Sequence, residues 1–229
     1  MNRPLVSVVL PVFNGELFLS EAIESVLAQT WSPVELIVVD DGSTDRSAEI
    51  ARGYPLTYLH QENSGVAAAR NRGIEAAQGE LVSFVDQDDV WLPDKLERQV
   101  AALRADRAAG ICSCRFEMFL QPGDELPDWA DVSLLQGSHR TPQVGTLLVR
   151  SELFDEVGLF DTSYVAANDT DWFLRTRDVG VRVAIVDEPL QRYRLHSGNA
   201  SAQKELIQRE HMRALRTSVR RKKAAAAGD

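Results

Sequence analysis

Three carboxylates within four residues, Asp86-Gln87-Asp88-Asp89, stand directly behind the apolar run Leu81–Val85. Carboxylates this close repel one another in the low dielectric of a cleft unless a cation or hydrogen-bond donors offset them. Hard oxygen ligands of this kind suit Mg²⁺ or Mn²⁺, which keep some water and also take substrate phosphate oxygens. Read without its neighbours, the same string is a solvated acidic turn before the helix that Pro93 opens. A second acidic string, Asp40-Asp41-Gly42-Ser43-Thr44-Asp45, ends another apolar run. An acid there can accept a hydrogen bond from a ribose hydroxyl or a base N–H. Asp41 is the candidate for that role, whereas Asp45 is expected only to start a turn and complement the next helix dipole. Between the two strings, Val66, Arg70 and Gly73 fall on one helical face, so a cation stands where a purely packing face would carry Ala or Leu. Arg70 is expected to pair with Asp41, to contact a nucleotide, or simply to snorkel outward. Neither G-x-G-x-x-G nor G-x-x-x-x-G-K-[ST] occurs, which removes the main support for a dinucleotide fold or a P-loop.

These strings need elements to hold them together. Leu5–Phe13, Val34–Val39, Leu56–Leu59, Leu81–Val85 and Gly110–Phe119 are short apolar runs rich in β-branched and aromatic residues, as expected of buried strands. Helical patterns alternate with them at Leu17–Ala28, at Thr44–Ala51 behind a Ser43 cap, at Val66–Ala77 and after Pro93. Such alternation predicts an α/β fold, a doubly wound, mostly parallel sheet whose ligands bind beyond the carboxyl ends of the strands. Asn14, Asp40, Asp41 and Asp86 to Asp89 all follow strands and therefore belong to that edge. After residue 120 the pattern changes. A Pro- and acid-rich loop (121–135) precedes strands at Val144–Val149 and Val181–Val186, helices at Ser151–Val157, Asp169–Asp178 and Gln203–Arg221, and antiparallel additions at one edge of the sheet are expected. Asn168 is expected to cap the Asp169 helix, with Asp171 at its third position complementing the dipole.

The chain has 229 residues, 44% hydrophobic and 26% charged, enough for one substantial core. Its longest apolar run, Leu5–Phe13, contains Pro11 and is far shorter than the roughly 20 residues that span a bilayer. Arg3 alone precedes it and no small-residue cleavage site follows, so no signal peptide is expected. Cys112 and Cys114 alternate along one strand and suit small core residues, which points to a reducing cytoplasm. The net charge of −9 is split, with residues 203–229 carrying eight Lys/Arg against three acids and leaving −14 on the rest. That acidic body argues against nucleic acid as a partner. The basic terminal stretch is either a solvated helix and tail or a contact with anionic lipid, a peripheral association with a membrane.

Taken in order, Val6-Ser7-Val8-Val9-Leu10-Pro11-Val12-Phe13-Asn14, Val39 to Asp45, Gly65 to Gly73 and Phe84 to Asp89 resemble the family-2 glycosyltransferases with a GT-A fold. The likeness continues through Asn168-Asp169-Thr170-Asp171-Trp172 and Tyr193 to Asn199. The resemblance implies a nucleotide-diphosphate-sugar donor, a UDP-sugar, with Mn²⁺ or Mg²⁺ as cofactor. It also implies inversion at the anomeric carbon and a glycan, lipid-linked or peptide hydroxyl acceptor. Carried over by position, Pro11, Phe13, Asn14, Asp41 and Arg70 would surround the donor and Asp86 would touch ribose. Asp86, Asp88, Asp89 and His196 would form the metal set. Asp169 matches the family's general base, with Asn168 in the place of a common Glu. Trp172, one turn from Asp169, would line the acceptor site, Trp129 would belong to a lid, and Trp91 would begin a helix and pack. Residues 1–202 would be one catalytic domain, with 1–120 on the donor side and 121–202 on the acceptor side, and 203–229 a basic helix and tail. Two other classes share parts of the pattern. A sugar nucleotidyltransferase would carry a Gly-rich loop with Arg and Lys after the first strand, unlike Asn14-Gly15-Glu16. A non-catalytic nucleotide- or sugar-binding module would need neither Asp169 nor the acidic cluster.

Overall fold

The computed structural model describes residues 3–141 and 143–227. Its strands are β1 (Val6–Val12), β2 (Val34–Asp40), β3 (Thr57–His60), β4 (Leu81–Phe84), β5 (Val90–Trp91), β6 (Ala109–Phe119), β7 (Leu147–Arg150) and β8 (Arg182–Arg194). Its helices are α1 (Leu19–Leu27), α2 (Ser47–Arg52), α3 (Val66–Ala76), α4 (Lys95–Ala105), α5 (Leu153–Val157), α6 (Asn168–Asp178) and α7 (Lys204–Ala227). The described strands join in one sheet of order β3-β2-β1-β4-β7-β6-β8-β5. β1 to β4 are mutually parallel, as are β6 and β8, while β7 runs antiparallel between β4 and β6. The antiparallel additions therefore include a strand inside the sheet, not only at its edge.

Each β1 side chain is buried, so alternate residues feed two cores. Val6, Val8, Leu10 and Val12 face α1 and α4 with Leu96, Val100 and Leu103. Val9 faces the other way, where Val82, Phe84, Ile111, Leu147 and Val149 meet α5 and α6. α3 seats closely on this second face because Gly73 has no side chain. A Cβ there would stand 2.3 Å from Val9 Cγ1.

Several local expectations change. α2 starts at Ser47, because Asp45 Oδ1 accepts its N–H, while Ser43 Oγ instead receives Asn14 N. Trp91 lies in the two-residue strand β5, paired with β8, rather than at a helix start. Val144–Thr146 is a 3₁₀ turn ahead of β7, and β8 runs on to Arg194, past the expected end at Val186. α7 lies along α6, with Arg221 and Lys222 paired to Asp178 and Ser218 bonded to it. The expected tail beyond residue 227 lies outside the described residues.

Candidate functional site

The strand order reverses between β1 and β4, where a crevice must open at the carboxyl edge. A cavity of about 400 Å³ lies there, lined by Pro11, Phe13, Asp41, Arg70, Asp86 and Asp88. Asn168, Asp169, Tyr193, Asn199 and Ile207 line it too. Residues separated by more than 150 positions thus share one pocket. A larger cavity of about 760 Å³ opens at the start of β4 and β6, away from these carboxylates.

Phe13 is held by Gln87, whose Oε1 accepts the Phe13 N–H at 2.8 Å. Asn14 turns the chain with φ +51°, a conformation an Asn tolerates, and its Oδ1 accepts the Thr44 N–H at 2.8 Å. Its amide therefore ties two loops together. Asp41 is buried and accepts from Gln61 Nε2 (2.7 Å), Ser64 N (2.9 Å) and Gly65 N (2.8 Å). It pins the entry to α3 and keeps about one acceptor site for a ligand.

Arg70 does not pair with Asp41. It is 7% exposed and spans the crevice, donating from Nη2 to Asp86 Oδ1 at 2.7 Å and from Nη1 to Asn168 Oδ1 at 3.0 Å. Its Nε finds no acceptor among the described residues. Asn168 is the first residue of α6 and not its cap, because its side chain is spent on Arg70.

The acidic string divides by direction. Asp88 faces the pocket, where its Oδ2 meets His196 Nε2 at 2.9 Å and Asn199 Nδ2 at 3.4 Å. Asp89 points the opposite way and is 0% exposed, accepting from Gln191 Nε2 at 2.5 Å and Arg194 N at 3.2 Å. Burial, followed by the charges of Asp88 and Asp86, pushes its carboxyl well above the usual range. Asp89 is thus a structural anchor between two strands, not a pocket ligand as expected.

Arg194, fully buried, makes the same junction rigid. Its Nε donates to the Asp88 carbonyl at 2.9 Å, other nitrogens reach Gln121 and Glu21, and its plane lies over Phe18 and Phe119. His196 packs against Phe18 at 5.0 Å, and its carbonyl accepts from Trp129 Nε1 at 3.2 Å, which fastens the acidic loop beside the site. Among the described residues no three His, Cys, Asp or Glu side chains form a closed metal cage. The donor set still fits Mn²⁺ or Mg²⁺. Asp88 Oδ2 and His196 Nε2 lie 2.9 Å apart, and such ions commonly take one or two protein ligands and complete their shell with water and phosphate oxygens.

Asp169 sits in the first turn of α6, half-buried in the pocket wall, with its Oδ1 accepting the Thr170 N–H at 2.6 Å. Burial raises its carboxyl above the ordinary value and the Asp86 charge adds to this, against the opposing pull of Arg70 and the Thr170 N–H. The segment before α6 is fixed from α7. Glu210 accepts the N–H groups of Val165, Ala166 and Ala167 at 3.1, 2.8 and 3.0 Å. Trp172 does not line the site. It is 0% exposed, stacked on Phe154 at 5.3 Å, with its Nε1 on the Gly158 carbonyl. Sequence patterns pointed to neither Glu210, Arg194 nor Gln191, because their partners lie 43 or more positions away.

This arrangement joins a strand-end acidic cluster to a carboxylate across one crevice, and residues 7–150 match the glycosyl transferase family 2 profile. The chain belongs to glycosyltransferase family 2. It is 40% identical over 184 residues to an uncharacterized glycosyltransferase of Rickettsia prowazekii, covering 74% of this chain and 58% of that one. It is 34% identical over 213 residues to the uncharacterized glycosyltransferase EpsJ of Bacillus subtilis, covering 83% and 61%. The chain thus spans about three fifths of the length of these curated relatives. S. aureus TarS 1-349 in complex with UDP-GlcNAc superposes with a TM-score of 0.75 at 22% identity, over 94% of this chain and 66% of that one. The mannosyltransferase PcManGT of Pyrobaculum calidifontis, in complex with GDP-Man and Mn²⁺, gives 0.69 at 21%, over 100% and 77%. These likenesses show the fold, which is of the GT-A type.

Proposed function

We propose that this family-2 glycosyltransferase moves a sugar from a nucleotide-diphosphate donor, a UDP-sugar, to a hydroxyl acceptor with inversion at the anomeric carbon. The observation that carries the reading is the position of Asp169 in the same crevice as Asp86 and Asp88, the latter in contact with His196. Pro11, Phe13 and Asp41 hold the base side of the donor, and Asp86, fixed by Arg70, receives the ribose. Asp169 removes the acceptor proton as the oxygen bonds to the anomeric carbon, and the nucleoside diphosphate departs on the far side. Its raised basicity suits that task, since a weaker acid holds the abstracted proton more firmly. A divalent cation held by Asp88 and His196 would neutralise the departing diphosphate. Residues 1–202 act as the catalytic unit, with 1–120 serving the donor and 121–202 the acceptor. The setting we assign is the cytoplasm, supported by two buried free thiols.

Release of nucleoside diphosphate from a panel of UDP- and GDP-sugars, with and without acceptor alcohols and Mn²⁺, tests the reading. Acceptor-dependent release is expected, reduced about 10²–10⁴-fold in Asp169→Asn while nucleotide binding persists. Undiminished turnover in that variant would remove the base assignment. Pyrophosphate release would point to nucleotidyl transfer, and binding without turnover to a binding module.

A further inference from the structure

The two sides of α7 differ in what they do with their charges. On the side that meets α6, Arg213 bonds to Ser163, and Arg221 and Lys222 pair with Asp178. On the outer side, Arg209, Arg216, Arg220 and Lys223 are exposed and make no ion pair or hydrogen bond among the described residues. Beside them runs an apolar stripe at helical spacing, Met212 (50% exposed), Leu215 (43%) and Val219 (53%). A solvated helix has no need for three half-exposed apolar side chains in register with four unpaired cations. Single exposed apolar residues are ordinary, but a stripe bordered by one sign of charge marks a contact surface.

We propose that the outer face of α7 docks on an anionic lipid surface. Apolar side chains bordered by Arg and Lys on one helical face are the pattern of a helix lying in a bilayer interface, held by apolar burial and by attraction to acidic headgroups. The charge distribution also sets the orientation. With −14 on residues 1–202, an anionic bilayer repels the body and attracts the terminal helix alone. No helix among the described residues is long and apolar enough to cross a membrane. Ile207, near the start of the same helix, lines the candidate active site, and Glu210 holds the segment that leads to Asp169. A bilayer-bound protein would therefore carry its acceptor side on the docked helix, and the acceptor class that fits is a hydroxyl on a lipid-linked molecule. That last step rests on the transferase reading, whereas docking itself does not.

Flotation of the full chain with vesicles of phosphatidylcholine containing about a third phosphatidylglycerol, against phosphatidylcholine alone, separates the two. Binding only to the anionic vesicles, weakened by added salt, is expected. Each basic residue near an acidic surface strengthens partitioning about fivefold, so Arg209→Gln/Arg216→Gln/Arg220→Gln/Lys223→Gln should weaken it by at least about a hundredfold. Met212→Ser/Leu215→Ser/Val219→Ser should remove the binding that survives salt. All seven positions are exposed, so unchanged thermal unfolding and nucleotide binding should accompany the loss. Absence of flotation at low salt, equal binding to both vesicles, or a solution dimer abolished by the apolar substitutions would overturn the proposal. Turnover of nucleotide sugar without flotation would remove docking and leave the transferase reading intact, and flotation without turnover would do the reverse.

Discussion

Arg70 ties Asp86, at the end of β4, to Asn168, at the start of α6, with bonds of 2.7 and 3.0 Å across the crevice. One guanidinium therefore sets the spacing between the donor-side acid and the helix that carries Asp169. Arg70 donates to one carboxylate and one neutral amide oxygen. Its charge also lowers the Asp169 carboxyl, opposing the burial and the Asp86 charge that raise it.

Replacing Arg70 with Gln removes both the link and that influence. On the proposed mechanism the acid limb of kcat/KM reports ionisation of Asp169 and should move to higher pH, because the Arg70 charge that lowers this carboxyl is lost. Turnover should fall at least about tenfold through misplacement of the two residues it links. A pH–rate profile measures both, and an unmoved acid limb would show that Arg70 does not act on Asp169.

Asp88, in the pocket wall, meets His196 at 2.9 Å. Asp88→Ala and His196→Ala should each weaken Mn²⁺-dependent nucleotide binding about 10-fold or more, as loss of one ligand from a sparse set implies. Asp89→Asn should act on stability instead, because Asp89 serves Gln191 and Arg194. Calorimetric titration of UDP with and without EDTA distinguishes the residues. Equal affinity in all conditions would exclude the metal.

Lys95 lies fully buried over the Trp91 ring at 4.0 Å, with its Nζ on Gln99 Oε1 at 2.8 Å. Burial pushes its ammonium down to about 8, against an opposing influence of Cys114 and Cys112. The unfolded chain holds this proton more tightly, so Lys95 costs stability below pH 8 and the cost fades between pH 8 and its ordinary value of 10.5. The difference in unfolding free energy between wild type and Lys95→Met should shift by about 3 kcal/mol in favour of wild type across that window. Denaturant titrations at pH 7 and pH 10 measure it, and a constant difference would contradict the burial argument.

Glu210 gathers three backbone N–H groups ahead of α6. Burial alone would raise its carboxyl, but those donors outweigh it and hold the group below its ordinary value. Its contribution is present above that ordinary value of 4.5 and is lost as pH falls through the lower folded value. Glu210→Ala should cost about 1–3 kcal/mol and reduce turnover, since three backbone donors, that of Ala167 fully buried, lose their acceptor next to Asp169. Hydrogen exchange at residues 165–167 should accelerate. Unchanged protection there would count against the clamp.

The parallel half of the sheet and its chemical edge were legible in the chain alone. Strands buried on both faces read as continuous apolar runs, and the polar residues that follow them fall at one edge whatever the details of packing. Asp41, Asp86 and Asp88 could be named on that ground, Arg70 from its place on a helical face and Asp169 from the family resemblance, and the pocket contains them all. The direction of each side chain could not. Asp88 and Asp89 are neighbours in sequence, but the turn between β4 and β5 sends one to the cavity and the other to Gln191. Trp172 follows Asp169 by one helical turn, but the phenyl rings of Phe154 and Phe160 draw it into the core. The apolar stripe of α7 became visible only once its opposite side was seen to be covered by α6. Local periodicity encodes which face of an element is apolar, whereas a buried polar group is placed by the distant donor or acceptor that compensates its lost water. Arg70 and Asn168, 98 positions apart, meet for that reason.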